Sequence, residues 1–276
     1  GPLPATPTPQ SAPSALRPCG VAASPPARYQ HVVWIVMENR GYREVVGSPS
    51  APYLNRLAAA CGLATNYWAV AHPSLPNYIA LTSGSTQGIS NDNSPQAEPV
   101  AAPSLFSLLG RDWRALEEGM PYRCDRSNSA TYATKHNPAV YYTRIAAACA
   151  RQDRPLSWPP PISARFTFIT PDLCHDMHDC STATGDAWLA RVMPALLDSP
   201  QYRAGETAIF ITWDEGTAAS QRVATYVVAP SVPSGARPST RYTHYSLLRT
   251  TEELLGIGRL LGGAATATSM RPGFHL

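Results

Sequence analysis

Four short polar stretches carry the side chains that could do chemistry in this chain. They are Glu38-Asn39, His72-Pro73-Ser74-Leu75-Pro76-Asn77, Asp176-Met177-His178-Asp179 and Asp214-Glu215. Carboxylates, an amide and a hydroxyl gathered together form an all-oxygen set, which suits a hard divalent cation better than copper or a thiolate-bound metal. A cation beside Ser74 would lower the pKa of its hydroxyl and make it a nucleophile without a separate general base. Histidines nearby would stabilise the negative charge of the transition state and protonate the leaving oxygen. That combination describes phosphoryl transfer through a phosphoserine. Each stretch alone has a plainer reading, as polar residues that end a strand and cap the next helix. Their recurrence is what argues for a site.

Such a site needs a scaffold that brings four distant stretches to one place. The run 31–37, HVVWIVM, is continuously apolar, as expected of a strand buried on both faces, and it stops abruptly at Glu38. Runs 166–170 and 208–212 have the same character and end in the Asp176 and Asp214 clusters, and 223–228 reads as a further strand. Apolar run 64–70 precedes Ser74, and a helical run, 78–82, follows it until Ser83-Gly84-Ser85 breaks it. Helical spacing recurs over 51–61, over 187–197 with Asp186 near its start, and over 245–255 after His244. Strands alternating with helices predict an α/β fold with a mostly parallel sheet, whose carboxyl ends share one edge. Ser74 then falls at a strand-to-helix turn, where unpaired backbone amides offer an anion site. A short helix over 104–109 and a strand over 113–116 are expected, and 117–161 reads as irregular apart from Lys135-His136-Asn137-Pro138. Trp213 and Tyr78 read as core packing, His31 as structural and His275 as solvated.

Composition narrows the function classes. Charged residues are 15% of 276 and the net charge is +3, too small to argue for nucleic acid or a membrane surface as partner. Lys135 is the sole lysine, so the basic residues are nearly all arginine. No run of eighteen apolar residues suggests a spanning helix. The opening residues 1–29, rich in Pro, Ala, Ser and Thr, read as a flexible segment of a processed, secreted protein ahead of a single domain over 30–276. Six cysteines without a CxxC pair point to three disulfides in an exported protein rather than a thiolate zinc site. Fifteen connectivities are open; closeness in sequence favours Cys174–Cys180, with Cys19–Cys61 and Cys124–Cys149 guessed for the others.

The ordered set His-Val-Val-x3-Met-Glu-Asn-Arg, His-Pro-Ser-x-Pro-Asn-Tyr, Lys-His-Asn-Pro, Asp-Met-His-Asp and Thr-Trp-Asp-Glu, spread over 31–257, resembles one known family. It is similar to the bacterial secreted acid phosphatase and phospholipase C branch of the alkaline phosphatase superfamily, and most of all to its mycobacterial secreted acid phosphatase group. The resemblance implies an alkaline-phosphatase-like α/β/α sandwich. It implies Glu38, Asn39, Asp214 and Glu215 as metal ligands, with Ser74 as the metal-bound nucleophile. It also implies Asn77 as a phosphate-contacting amide and His72, His136 and His178 as residues lining the phosphate and leaving group. Asp176 and Asp179 flank His178 and are expected to orient it. No histidine-rich second metal set is visible, so one divalent ion, calcium or magnesium, is expected. His175 stands where relatives often have Asn, as a surface residue or an added phosphate contact, and His244 suits a supporting role. The expected activity is a metal-dependent phosphomonoesterase, an acid phosphatase acting as a monomer on small monoesters or phosphoinositide headgroups, most active at acidic pH. The alternatives are a phospholipase C-type phosphodiesterase, disfavoured by the compact chain, and a non-catalytic surface binding module, disfavoured by the retained Ser74.

Overall fold

A computed structural model describes residues 1–2 and 11–276. Eight strands form one sheet: β1 (His31–Met37), β2 (Gly62–Trp68), β3 (Trp113–Glu117), β4 (Asp153–Pro155), β5 (Phe166–Thr170), β6 (Thr207–Trp213), β7 (Arg222–Val228) and β8 (Tyr242–Thr243). Their order is β4-β3-β5-β1-β6-β7-β2-β8. Only β7 runs against its neighbours, pairing antiparallel with both β6 and β2, so β2 ends at the same edge as β1, β5 and β6. The continuously apolar runs are the central strands: every residue of β6 and all but the first of β1 are buried.

Helices clasp the sheet in two packed pairs, Pro52–Ala60 with Thr182–Leu197 and Ser74–Ser83 with His244–Leu254. This is the α/β/α sandwich that the resemblance implied. The Pro52–Ala60 helix has no side-chain cap of its own. Asp186 supplies one from the neighbouring helix, accepting from the amides of Tyr53 (3.0 Å) and Leu54 (2.9 Å), which satisfies two orphan donors and favours the helix dipole. The Ser74–Ser83 helix is buried along its whole length and ends at Gly84 with φ 81°, a left-handed conformation that glycine adopts without a Cβ clash. The helix is longer than the sequence suggested because prolines at its N-cap (Pro73) and in its first turn (Pro76) hide its beginning.

Three disulfides join Cys19 to Cys61, Cys124 to Cys149 and Cys174 to Cys180, and no described cysteine is free. The first of them corrects one expectation. Residues 3–10 of the opening segment lie outside the described residues, but from Pro13 on it is laid against the domain. Cys19 is bonded to Cys61, Gly20 donates to the Val232 carbonyl (2.8 Å), Val21 to that of Pro230 (3.0 Å) and Tyr29 to that of Leu254 (3.0 Å). A disulfide and backbone pairing hold a stretch whose composition alone suggests mobility.

At the β3–β4 edge two carboxyls, Glu117 and Asp153, are fully buried. Thr170 donates to Glu117 (3.0 Å) and Asn137 to Asp153 (2.7 Å). Burial drives both pKa values up, that of Asp153 from 3.8 to about 8. The folded state therefore holds a proton that the unfolded chain has lost between pH 4 and 8. Stability from this source is fully present below pH 4 and is lost as pH rises through about 8. Melting temperature should fall by on the order of 5 °C between pH 5 and 8, and Asp153→Asn should flatten that slope in thermal melts across the same buffers. An unchanged slope in the variant would assign the dependence to other groups.

Candidate active site

The four polar stretches do meet at the carboxyl edge of the sheet. Ser74 is the first residue of its helix and almost fully buried. Its hydroxyl lies 3.2 Å from Glu38 Oε2 and 3.4 Å from Glu215 Oε1, donating between two acids. Glu38 is reached because β1 ends there, and its amide is anchored on the Asp176 carbonyl (2.8 Å). Asp214 follows β6, its amide donating to the Met37 carbonyl (3.0 Å), so the β1–β6 ladder continues one step into the site. Asn39 has φ 55°, a conformation asparagine tolerates, and turns its own amide onto Asp214 Oδ1 (3.2 Å).

Histidines balance these acids. His136 is buried, with Nε2 3.0 Å from Glu38 Oε1 and Nδ1 3.4 Å from Asp176 Oδ2. Burial lowers its pKa, but the Glu38 and Asp176 carboxylates outweigh burial and raise it to about 10, so the ring is an imidazolium at neutral pH. In return, although burial pushes Glu38 up, His136 and the Tyr78 hydroxyl bring its carboxyl down to about 2. His72, on the exposed rim, places Nδ1 2.7 Å from Glu215 Oε2. His178 pairs with Asp179 through Nδ1 at 2.6 Å.

Several roles differ from those expected. Asn77 does not face a phosphate. Its Oδ1 accepts from the amides of Val70 (3.1 Å) and Ala71 (3.0 Å), and its Nδ2 donates to the carbonyls of Ala71 (2.9 Å) and Pro73 (3.4 Å). That amide is consumed in closing the loop that presents Ser74. Asp176 orients His136 rather than the ring of His178, touching the latter residue only through its backbone amide (2.7 Å). The helix N-terminus is not an open anion site either: Asp92 Oδ1 accepts from the Leu75 amide (2.9 Å), Pro76 has no N–H, and Lys135 pairs with Asp92 at 3.4 Å. His175 is a loop brace, bound to Glu118 at 2.7 Å and stacked on Trp188.

Two functional neighbours were not anticipated. Tyr78 is part of the site, its hydroxyl donating to Glu38 Oε1 (2.6 Å) and its ring stacked on His136 (5.3 Å). The signal was present, since a residue four positions after Ser74 shares its helix face. Asp92, from an irregular loop, carried no local signal. His244 supports the site as expected. A carbonyl can only accept, so Nε2 donates to the Asp214 carbonyl (2.6 Å), and Nδ1 accepts a hydrogen bond from the Tyr67 hydroxyl (2.9 Å). Burial lowers its pKa to about 4, which keeps it neutral for that role.

Asn77→Ala should therefore lower stability by about 2–4 kcal/mol through its lost buried hydrogen bonds. Turnover should fall with it as the Ser74 loop loosens. A phosphate contact would behave differently, raising KM and weakening inhibition by inorganic phosphate with the melting temperature unmoved. Melting curves beside steady-state kinetics separate the two.

The donor set fits a hard cation. Two carboxylates, Glu38 and Glu215, flank the Ser74 hydroxyl, and Oδ2 of the neighbouring Asp214 is buried without a hydrogen-bond partner. Burial, then the charges of Glu38 and Glu215, push the Asp214 carboxyl well above its ordinary range. Such an oxygen is expensive to leave bare and is what a divalent ion would occupy. A second acid–histidine group, Glu118, Asp172 and His175, has its oxygens engaged by loop amides and Trp188, so it reads as a brace.

Comparison with known proteins gives the family and the fold. The model of the Phosphoesterase family matches residues 47–258. The phosphatidylinositol-3-phosphatase of Mycobacterium tuberculosis is 34% identical over 253 residues, covering 86% of this chain and 81% of that protein. The phosphate-repressible acid phosphatase of Penicillium chrysogenum is 30% identical over 71% of this chain, which spans about half (52%) of that protein's length. A solved protein of the alkaline phosphatase superfamily from Vibrio parahaemolyticus shares the fold with a TM-score of 0.59 at 11% identity, over 96% of this chain and 74% of that one.

Proposed function

The chain belongs to the Phosphoesterase family, and from that premise we propose that it is a phosphomonoesterase, an acid phosphatase using Ser74 as its nucleophile, with 30–276 as its single catalytic domain. The observation that carries this reading is the Ser74 hydroxyl held between Glu38 and Glu215, beside the unpartnered oxygen of Asp214. Glu38, Asn39, Asp214, Glu215 and Ser74 itself would hold one divalent ion, calcium or magnesium. When bound, that ion supplies charge neutralisation and a lowered pKa for the Ser74 hydroxyl. The chain's own residues do the rest. Glu215 accepts the single proton of Ser74 Oγ as the oxygen attacks phosphorus, while Glu38, held ionised by His136 and Tyr78, keeps the hydroxyl in place. The new bond joins Oγ to phosphorus and the broken one frees the alcohol oxygen, which must receive a proton. His72 and His178, each paired with a carboxylate near the rim, are placed to give it and then to take a proton from the water that opens the phosphoserine. His136, fixed between Glu38 and Asp176, places positive charge behind the nucleophile.

The names of the relatives favour monoesters, phosphoinositide headgroups among them, over the diesters of a phospholipase C. Three disulfides suit an exported protein acting as a monomer, and no helix among the described residues is long and apolar enough to cross a membrane. Parallel assays of a chromogenic monoester and its diester, each with and without chelator, test the proposal. We expect faster monoester turnover at acidic pH, abolished by chelation and restored by a hard divalent ion. Faster diester turnover would make the phosphodiesterase reading the correct one.

A further inference from the structure

At the opposite edge of the sheet, β3 and β4 each begin within an Arg-x-x-Arg pair: Arg111 with Arg114, and Arg151 with Arg154. The strands pair in parallel with Ala115 against Asp153, so the two pairs arrive side by side. The four arginines and Gln152 line one cleft of about 350 Å³. Its frame is well tied. Arg114 donates to the carbonyls of Arg111 (3.1 Å) and Trp113 (2.6 Å), Arg154 to that of Arg151 (2.7 Å), and buried Gln152 to those of Gly110 and Trp113 (both 3.3 Å).

What the cleft lacks is an acid. Among the described residues, the ion pair between an arginine and a carboxylate within 4.0 Å is Arg249–Glu253, far from here in sequence. Burial and then the like charges of Arg114 and Arg123 depress the Arg154 pKa, so positive neighbours surround it. In a chain with only 15% charged residues, this concentration of unpaired guanidinium is an uncompensated repulsion that a multivalent anion would relieve. Guanidinium forks match tetrahedral oxyanions bidentately, and several converging on one cleft select for more than one phosphate group. The five-residue length of β3 separates this end of the sheet from the catalytic edge by about 17 Å, too far for one small phosphate ester to touch both.

We propose that the Arg111/Arg114/Arg151/Arg154 cleft is a second anion-binding site, taking a soluble anion with two or more linked phosphates. It does not depend on the Ser74 chemistry. The test is titration calorimetry of the full chain with inorganic pyrophosphate, beside hydrolysis of a chromogenic monoester. The informative variant is Arg111→Gln with Arg151→Gln, because both residues are exposed and lend the frame only their backbone carbonyls. The wild type should show a salt-sensitive binding event that weakens roughly tenfold or more in the variant, with monoester turnover within about twofold and an unshifted melting temperature. If the variant unfolds, Arg114→Lys with Arg154→Lys keeps the charge but loses the fork, and binding should still weaken severalfold. Equal pyrophosphate binding in wild type and folded variants would place all of it at the Ser74 site and overturn the proposal. Binding to vesicles containing phosphatidylinositol phosphate without any binding of pyrophosphate would overturn it too, in favour of a membrane surface. Loss of monoester activity in the wild type would sink the phosphatase reading and leave this one standing.

Discussion

Ser74→Ala should reduce monoester turnover by at least about a thousandfold while the protein folds and keeps its metal. The hydroxyl lies at the centre of the site, and both acids beside it are placed to accept its hydrogen. Removing it leaves the Glu38–Tyr78 and Glu38–His136 contacts untouched, so the melting temperature should stay within about 3 °C. Rapid-quench detection of labelled phosphoserine in the wild type, absent in the variant, completes the test. Near-wild-type kcat in the variant would rule out the covalent route and make water the direct nucleophile.

Asp214→Asn should abolish divalent-metal retention and with it activity, by roughly a hundredfold or more, and its effect on stability should have an unusual sign. Without metal, Glu38, Asp214 and Glu215 crowd one buried site, and burial plus mutual repulsion raise the Asp214 carboxyl. Asparagine ends part of that repulsion, so the metal-free variant should melt at the same temperature as metal-free wild type or higher. Calcium or magnesium should stabilise the wild type by about 5 °C and the variant not at all. Elemental analysis should find about one metal per wild-type chain, by the ligand set of a single oxygen cage. Full activity of exhaustively chelated protein would remove the metal from the mechanism.

Much of this was legible in the chain itself. Continuous apolar runs such as 31–37 and 208–212 mark strands buried on both faces because nothing else in a fold of this size excludes water so completely. Their abrupt polar ends locate the catalytic edge, since parallel strands terminate together. Glu38, Ser74, Asp214 and Glu215 are brought together by that topology alone. Cysteine spacing left fifteen pairings open, and the fold closes the short-loop set among them.

Which atom meets which was another matter. Residue types in a motif report that a side chain is near the chemistry, but a hydrogen-bonding group has one best partner, and loop geometry chooses it. Asn77 spends its amide on the backbone of 70–73, and Asp176 turns to a histidine forty residues earlier in the chain. Asp92 reaches the helix N-terminus from a loop with no periodicity to betray it. The arginine cleft lay in plain view as two Arg-x-x-Arg pairs, yet it exists only because β3 and β4 pair in parallel and in that register. Hydrophobic pattern determines which elements form and which faces they bury, because that free energy is non-directional and sums along the chain. Hydrogen bonds and charge pairs are short-ranged and directional, so their partners are settled only when the tertiary structure brings distant segments within about 3 Å of one another.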